Sequence, residues 1–185
     1  MAETNTVART MHEVGLAAWF GGSLMGAIGV NGAAAQVESP AERSKVANAG
    51  WARWTPVNLA AIAAYVGGGV VLTGGNRGRV AAQAGVAQAS VLKTALSGAA
   101  LVATGYSRVL GQKVMNAGTP PVQGATEPSP ATPDDVAGAQ RQLKALQWVI
   151  PALTGALLVV NARMGEQQRP QSVVSGVLHR LNPAA

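Results

Sequence analysis

The chain has 185 residues, of which 48% are hydrophobic and only 12% charged, and its lack of cysteine excludes disulfides and thiolate metal sites. That charged fraction is about half the roughly 25% of soluble domains, and the abundant Gly and Ala bury too little area for a strong water-driven core. The 14 basic residues give a net charge of +6, but their scattering excludes a nucleic-acid-binding stripe and favours contact with anionic lipid head groups.

Two uncharged apolar segments lie in the N-terminal half. A membrane-spanning helix needs about 20 mainly apolar residues, and residues 14–35 and 54–72 meet this condition, with Pro56 in the first turn of the second. The alanines at 33–35 raise the alternative of a cleaved signal peptide. The preceding flank carries one basic and two acidic residues where a signal peptide has a basic region, so we predict a retained span.

Between these two spans the sequence predicts a short interfacial helix. Ser39 is followed directly by Pro40 and three residues later by Glu42, which is a capping-box signature with Pro in the first helical turn. We expect this helix to end near Trp51. Both Trp51 and Trp54 should then lie at head-group level, where aromatic belts form.

Two further spans are predicted at residues 88–111 and 146–163, the last with a kink at Pro151. Lys93 and Arg108 flank the apolar part of the third span, and each is close enough to an end for its charge to snorkel to the head groups. The sequence therefore predicts an all-α polytopic membrane protein: a four-helix transmembrane bundle forming a single transmembrane domain.

Two segments outside the spans differ in character. Residues 114–135 are rich in Pro and Gly and predict an extended or disordered loop. Residues 171–182 place Val and Leu on one face of a short amphipathic helix, which should lie on the membrane or dock on a partner. Lys and Arg divide evenly between the two sides, so their bias does not decide the orientation. Four spans place both termini on one side, which we expect to be the cytoplasmic side of the cell membrane.

Small residues recur at four-residue spacing in every predicted span. Such rows let another backbone approach closely, and helix association in a bilayer depends on that approach. The alternative is that Gly and Ala are merely common in a high-Ala proteome. We favour packing, because Leu would serve at lipid-facing positions. The predicted packing positions are Gly22, Gly26, Ala60, Ala64, Gly68, Ala95, Ala99, Ala152 and Ala156.

Few residues offer chemistry. His12 and Glu13 stand at the mouth of the first span and Lys93 near the start of the third, and a His with a carboxylate can relay protons or bind a cation. The alternative for His12 and Glu13 is an interfacial polar turn. The other histidine, His179, lies in the tail, which argues against a haem or metal site built from both. With no Ser-His-Asp set, paired intramembrane carboxylates or P-loop, the sequence predicts no catalytic residue, metal or cofactor.

Several segments together resemble a known group of proteins. They are MHEVGLAAWFGGSLMGAIG in the first span, the tryptophan pair before the second, Lys93, and QRQLKALQWVIPALTGALLVVNARMGEQQRP around the fourth. With these segments the chain resembles four-span membrane proteins of high-GC actinobacteria, a group that implies no particular activity. The order of His12, Trp, Gly-Gly and Lys93 is also similar to copper-resistance D type membrane proteins, whose additional His and Met ligands this sequence lacks.

Abundant packing surface beside little chemistry favours a non-enzymatic role. We expect a small integral membrane protein that acts as an accessory or stabilising subunit of a larger envelope complex. It would contact the lipid bilayer and either a membrane-protein partner or a second copy, but no nucleic acid. One alternative is a small proton- or metal-linked transporter or permease with His12, Glu13 and Lys93 along its pathway. Another is a membrane sensor whose loop at 116–135 meets the ligand.

Overall fold

The computed structural model describes residues 5–75 and 84–166. Within these ranges every regular secondary-structure element is a helix, and the only β-pairing is an isolated bridge between Val122 and Pro128. The predicted tail helix at 171–182 lies outside the described residues. The elements in chain order are α1 Thr6–Met25, a π-helical turn Gly26–Val30, α2 Asn31–Ala35, α3 Pro40–Gly75, α4 Ala84–Asn116 and α5 Asp134–Glu166.

Three helical segments in the described part of the chain are long and apolar enough to cross a membrane. They are Thr6–Ala35, which joins α1, the π-helical turn and α2, together with Pro40–Gly75 and Asp134–Gly165. The described residues thus confirm the all-α class and contain three helices able to span a membrane by their length and composition. Lys93, Arg108 and several hydroxyl-bearing residues lower the hydropathy of α4, which is not among the three. The fourth span at 88–111 and the four-span bundle stay predictions.

The α3 helix corrects the prediction of a separate interfacial helix. It begins at Pro40, where the capping-box signature places a helix start, but it continues without a break to Gly75. Pro56 therefore lies in a helix interior, where its ring removes a backbone hydrogen bond. In the same turn the Thr55 hydroxyl donates to the carbonyl oxygen of Trp51 at 2.8 Å, which gives that carbonyl a side-chain donor. The predicted interfacial helix and the predicted second span are therefore parts of one continuous helix.

The helices pack as two pairs. The α1 helix packs along α3 and α4 along α5, while α1 also contacts α5. Side chains from all four helices meet in one buried core, and the backbones of α3 and α4 stay farther apart than those of the packed pairs. The core residues are Leu16 and Trp19 of α1, Tyr65 of α3, Ala100 of α4, and Ile150 and Leu157 of α5.

The predicted packing positions fall into two groups. Gly22, Gly26 and Gly68 are packed inside the chain: a Cβ at Gly22 or Gly26 would run into the indole rings of Trp54 and Trp51, and one at Gly68 would meet the backbone of α1. The two tryptophans therefore pack on the first helical segment. The remaining positions are alanines, of which Ala64 and Ala156 are half-buried and Ala60, Ala95, Ala99 and Ala152 are exposed.

The Pro- and Gly-rich connection at 117–133 is a folded loop that docks on the helices, not the extended or disordered loop its composition predicts. Val122 is completely buried, and its N–H donates to the carbonyl oxygen of Pro40 at 3.3 Å. The Ser44 hydroxyl donates to the carbonyl oxygen of Pro120 at 2.9 Å, and the Gln140 amide donates to two loop carbonyls. Helix side chains thus satisfy loop backbone groups, a partnership that composition does not reveal.

Candidate functional site

A group of polar side chains lies among the helices where α1 begins, α3 ends and α4 begins. It consists of His12 on α1, Tyr65 on α3, and Lys93 and Ser97 on α4, and we call these four residues the polar cluster. His12 and Tyr65 are almost completely buried, and the other two are half-buried. Three helices from distant parts of the sequence are therefore joined by polar contacts among apolar residues.

His12 is held on both ring nitrogens. Its Nδ1 lies 2.7 Å from the carbonyl oxygen of Tyr65, and its Nε2 lies 2.6 Å from Lys93 Nζ. A carbonyl can only accept, so hydrogen-bond geometry assigns the hydrogen to Nδ1. The imidazole also stacks on the Tyr65 ring, with centroids 4.4 Å apart and planes inclined by 20°. These contacts fix the ring so that Nε2 faces Lys93.

The contact between His12 and Lys93 is suited to holding one proton between two nitrogens. In one arrangement the Lys93 ammonium donates to the neutral imidazole, and in the other the imidazolium donates to the neutral amine. If both groups carried a charge, two cations would lie 2.6 Å apart where little water screens them. The pair can therefore gain, lose or transfer one proton with small atomic movements.

The Tyr65 side chain links the cluster to the buried core. Its hydroxyl lies 2.5 Å from Ser97 Oγ. Its ring lies 5.9 Å from the Trp19 ring at an angle of 58°, and the Trp19 N–H donates to Thr104 Oγ1 at 3.2 Å. Side-chain hydrogen bonds at several levels thus connect α4 to α1 and α3.

Two glycines of α3 make room for His12. A Cβ at Gly69 would lie 3.2 Å from Cε1 and Nδ1 of the imidazole, and one at Gly68 would lie 2.8 Å from the His12 backbone nitrogen. Neither this role of the glycines nor the participation of Tyr65 and Ser97 was predicted from the sequence. The sequence feature that indicates a special packing site here is a tyrosine two residues before a run of three glycines, in an otherwise aliphatic stretch.

The three residues of the predicted polar site have different positions. His12 and Lys93 are in contact, so the Lys93 amine is directed toward α1 instead of snorkelling to the helix end as predicted. Glu13 is exposed, and its carboxylate oxygens accept from the Asn161 amide of α5 at 3.3 Å. In the described ranges no three His, Asp or Glu residues are grouped closely enough to hold a metal ion.

A second polar group lies toward the other end of these helices and contains only neutral residues. The Trp51 N–H donates to Asn31 Oδ1 at 2.8 Å, and the Asn31 amide donates to Gln147 Oε1 at the same distance. Gln147 in turn faces the Thr126 hydroxyl of the loop at 3.5 Å. These contacts join α2, α3, α5 and the loop. Because the residues involved carry no titratable charge, the contacts serve to position the three helices and the loop.

No family model, no curated protein and no solved structure matches this chain. The resemblance to four-span actinobacterial membrane proteins stays a prediction. A function can be argued from the polar cluster, because it places two titratable side chains in direct contact between apolar helices.

Proposed function

We propose that the protein is a small, non-enzymatic integral membrane protein that moves protons at the polar cluster, in the manner of a proton-linked permease. The observation that carries this proposal is the 2.6 Å contact between His12 Nε2 and Lys93 Nζ. A purely structural contact between apolar helices needs no titratable group, and ionisable residues inside spanning helices mark proton or ion pathways. Histidine is also the side chain that exchanges protons near neutral pH.

Residues next to His12 and Lys93 provide the first groups of such a proton pathway. Glu13 is exposed and lies next to His12 in the chain, so it brings an acidic side chain to the start of the proposed pathway. Tyr65 and Ser97 add hydroxyl groups that both donate and accept. Pairing with His12 also lowers the cost of Lys93 in a bilayer, which supports α4 as a fourth membrane-spanning helix.

Proton flux into liposomes tests this proposal. The purified full chain is reconstituted around a pH-sensitive dye, and a potassium diffusion potential drives proton entry. His12→Ala and Lys93→Met should each reduce the flux at least about tenfold, because neither variant retains the pair that exchanges the proton.

Lys113→Met is the matched control, since that amine forms an exposed ion pair 3.5 Å from Asp135 at the far end of α4. It should retain the wild-type flux. Helicity and elution volume establish that each variant is folded. A folded His12→Ala variant with wild-type flux, or a wild type no faster than empty liposomes, would refute the proposal.

The outer surface favours a second candidate function, that of an accessory or stabilising subunit of a larger complex. We propose that this complex lies in the cell membrane and that both termini of the chain are cytoplasmic. At most 28% of the apolar window of each candidate span is buried inside the chain. Small residues on the exposed faces leave room for a partner backbone, either another membrane protein or a second copy. They are Ala60 on α3, Ala95 and Ala99 on α4, and Ala152 on α5.

Bulky substitution on α4 tests this candidate. In native membranes, chemical cross-linking and gentle purification should yield a stoichiometric complex with the wild type. Ala95→Phe together with Ala99→Phe should reduce the complex by about tenfold, because the rings hold the partner backbone away. Val102→Phe is the control, since this side chain is already large and 73% exposed. An unchanged complex with the double variant, or a lone wild-type chain, would exclude the accessory role through this surface.

A further inference from the structure

A cavity of about 490 Å³ lies between α3 and α4, and residues of α1, α2, α5 and the loop complete its lining. We call it the α3–α4 cavity. Its volume falls within the range of roughly 300–1,000 Å³ that is usual for small-molecule sites. Its lining is largely apolar, and no member of the polar cluster contributes to it. Whatever it holds therefore binds independently of the proposed proton function.

The alignment of α3 against α4 shows at which level along the helices each lining residue lies. Tyr65 bonds to Ser97, and the two helices run in opposite directions. Trp54 is eleven residues before Tyr65 and Arg108 eleven residues after Ser97, so these two lie at one level, toward the end where Trp51 lies. Asn58 is four residues beyond Trp54, about 6 Å of helix rise deeper. Ile62 and Leu101 follow at the apolar end.

Arg108 supplies an uncompensated positive charge in the wall of the cavity. It is exposed and forms no ion pair within the described residues; its side-chain hydrogen bond goes to Met115 Sδ at 3.9 Å. The lysines nearby differ, since Lys113 is paired with Asp135 and Lys144 with Glu127. A guanidinium binds phosphate well, because its planar donors match phosphate oxygens.

Asn58 adds a second requirement deeper in the cavity. Its Oδ1 is buried and has no hydrogen-bond partner among the described residues. Buried acceptors in native proteins are nearly always satisfied, by protein, water or ligand. An occupant that donates one hydrogen bond here, such as a hydroxyl group, would satisfy Asn58.

We propose that the α3–α4 cavity binds a single-chain anionic amphiphile with a phosphate and a hydroxyl group, the chemistry of a lysophosphatidate. The phosphate lies at Arg108, the glycerol hydroxyl donates to Asn58 Oδ1, and the acyl chain extends past Ile62 and Leu101. The order of these groups from head to tail is the order of charge, acceptor and apolar wall along the helices from Arg108 to Ile62. The volume suits one chain better than the two of a diacyl lipid.

Native mass spectrometry of the purified full chain tests this binding with defined probes. Oleoyl lysophosphatidate should bind saturably and more tightly than oleoyl lysophosphatidylcholine, whose head group has no net charge. Arg108→Gln should weaken lysophosphatidate binding at least about tenfold, as expected for the loss of a charge-assisted hydrogen bond. Arg141→Gln, at an exposed arginine of α5, is the matched control and should bind like wild type.

The role of Asn58 is tested separately with oleyl phosphate, which has the charge and the chain but no hydroxyl. Asn58→Leu should weaken lysophosphatidate binding about fivefold and leave oleyl phosphate binding unchanged. Equal lysophosphatidate affinity for Arg108→Gln and Arg141→Gln, or no saturable binding to wild type, would overturn the proposal. If Asn58→Leu weakened the binding of both probes equally, the proposed hydrogen bond from the hydroxyl group to Asn58 would be refuted. None of these outcomes depends on proton flux.

Discussion

Replacement of Gly68 by Val should prevent α1 from packing on α3 and leave little folded protein. A Cβ at this position would run into the carbonyl oxygen of Ala8 and lie 2.8 Å from the backbone nitrogen of His12. Backbone atoms cannot rotate away as a side chain can, so the helices must separate. Gly15 makes the reciprocal approach one turn further along α1, where a Cβ would lie 2.6 Å from the Tyr65 nitrogen.

The expected loss for Gly68→Val is about 3 kcal/mol of unfolding free energy or more. It is measured by unfolding in mixed micelles, with the yield of monodisperse protein as a second readout. Gly67→Val is the matched control, because a Cβ there meets nothing within 4 Å while the change in helix propensity is the same. Similar stability of the two variants would mean that α1 and α3 do not cross at Gly68.

Replacement of Trp19 by Ala should produce the largest loss among the core side chains. Trp19 is completely buried, packs beside Tyr65 and donates its indole N–H to Thr104 of α4. Truncation leaves a cavity and removes a link between α1 and α4. For buried Trp the expected cost is about 3–5 kcal/mol.

Trp148→Ala is the comparison variant, since that side chain is 51% exposed and its truncation leaves no cavity. It should change the unfolding free energy by less than about 1 kcal/mol. Trp19→Phe should recover most of the loss, because a ring again fills the space while only the hydrogen bond to Thr104 is missing. Equal losses for Trp19→Ala and Trp148→Ala would contradict the placement of Trp19 in the core.

Properties that reside in a short stretch of chain could be predicted from the sequence. Apolar length decides whether a helix can cross a bilayer, and three such segments follow from counting residues. The capping signature at Ser39 to Glu42 also marked the start of α3 at Pro40. It could not mark the end of that helix, because a capping signature reports only where a helix starts, and α3 continues through Pro56 to Gly75.

The candidate site was only partly accessible to such reasoning. His12 and Lys93 are each visible as polar residues near the ends of apolar segments, but 81 residues separate them and their contact depends on how α1 and α4 are rotated. Glu13 was grouped with His12 as its neighbour in sequence. Successive residues of a helix point in directions about 100° apart, so Glu13 instead faces Asn161.

The sequence by itself determined that the chain is helical and has segments long and apolar enough to cross a membrane, because low charge and long apolar runs leave few other ways to satisfy the backbone. Only the tertiary structure decided which small residues pack, which polar groups meet, and that the Pro-rich loop is docked. In apolar helices rich in Gly and Ala, several faces are almost equally able to pack. The choice among them rests on contacts between distant residues, such as Gly68 against α1 and Lys93 against His12.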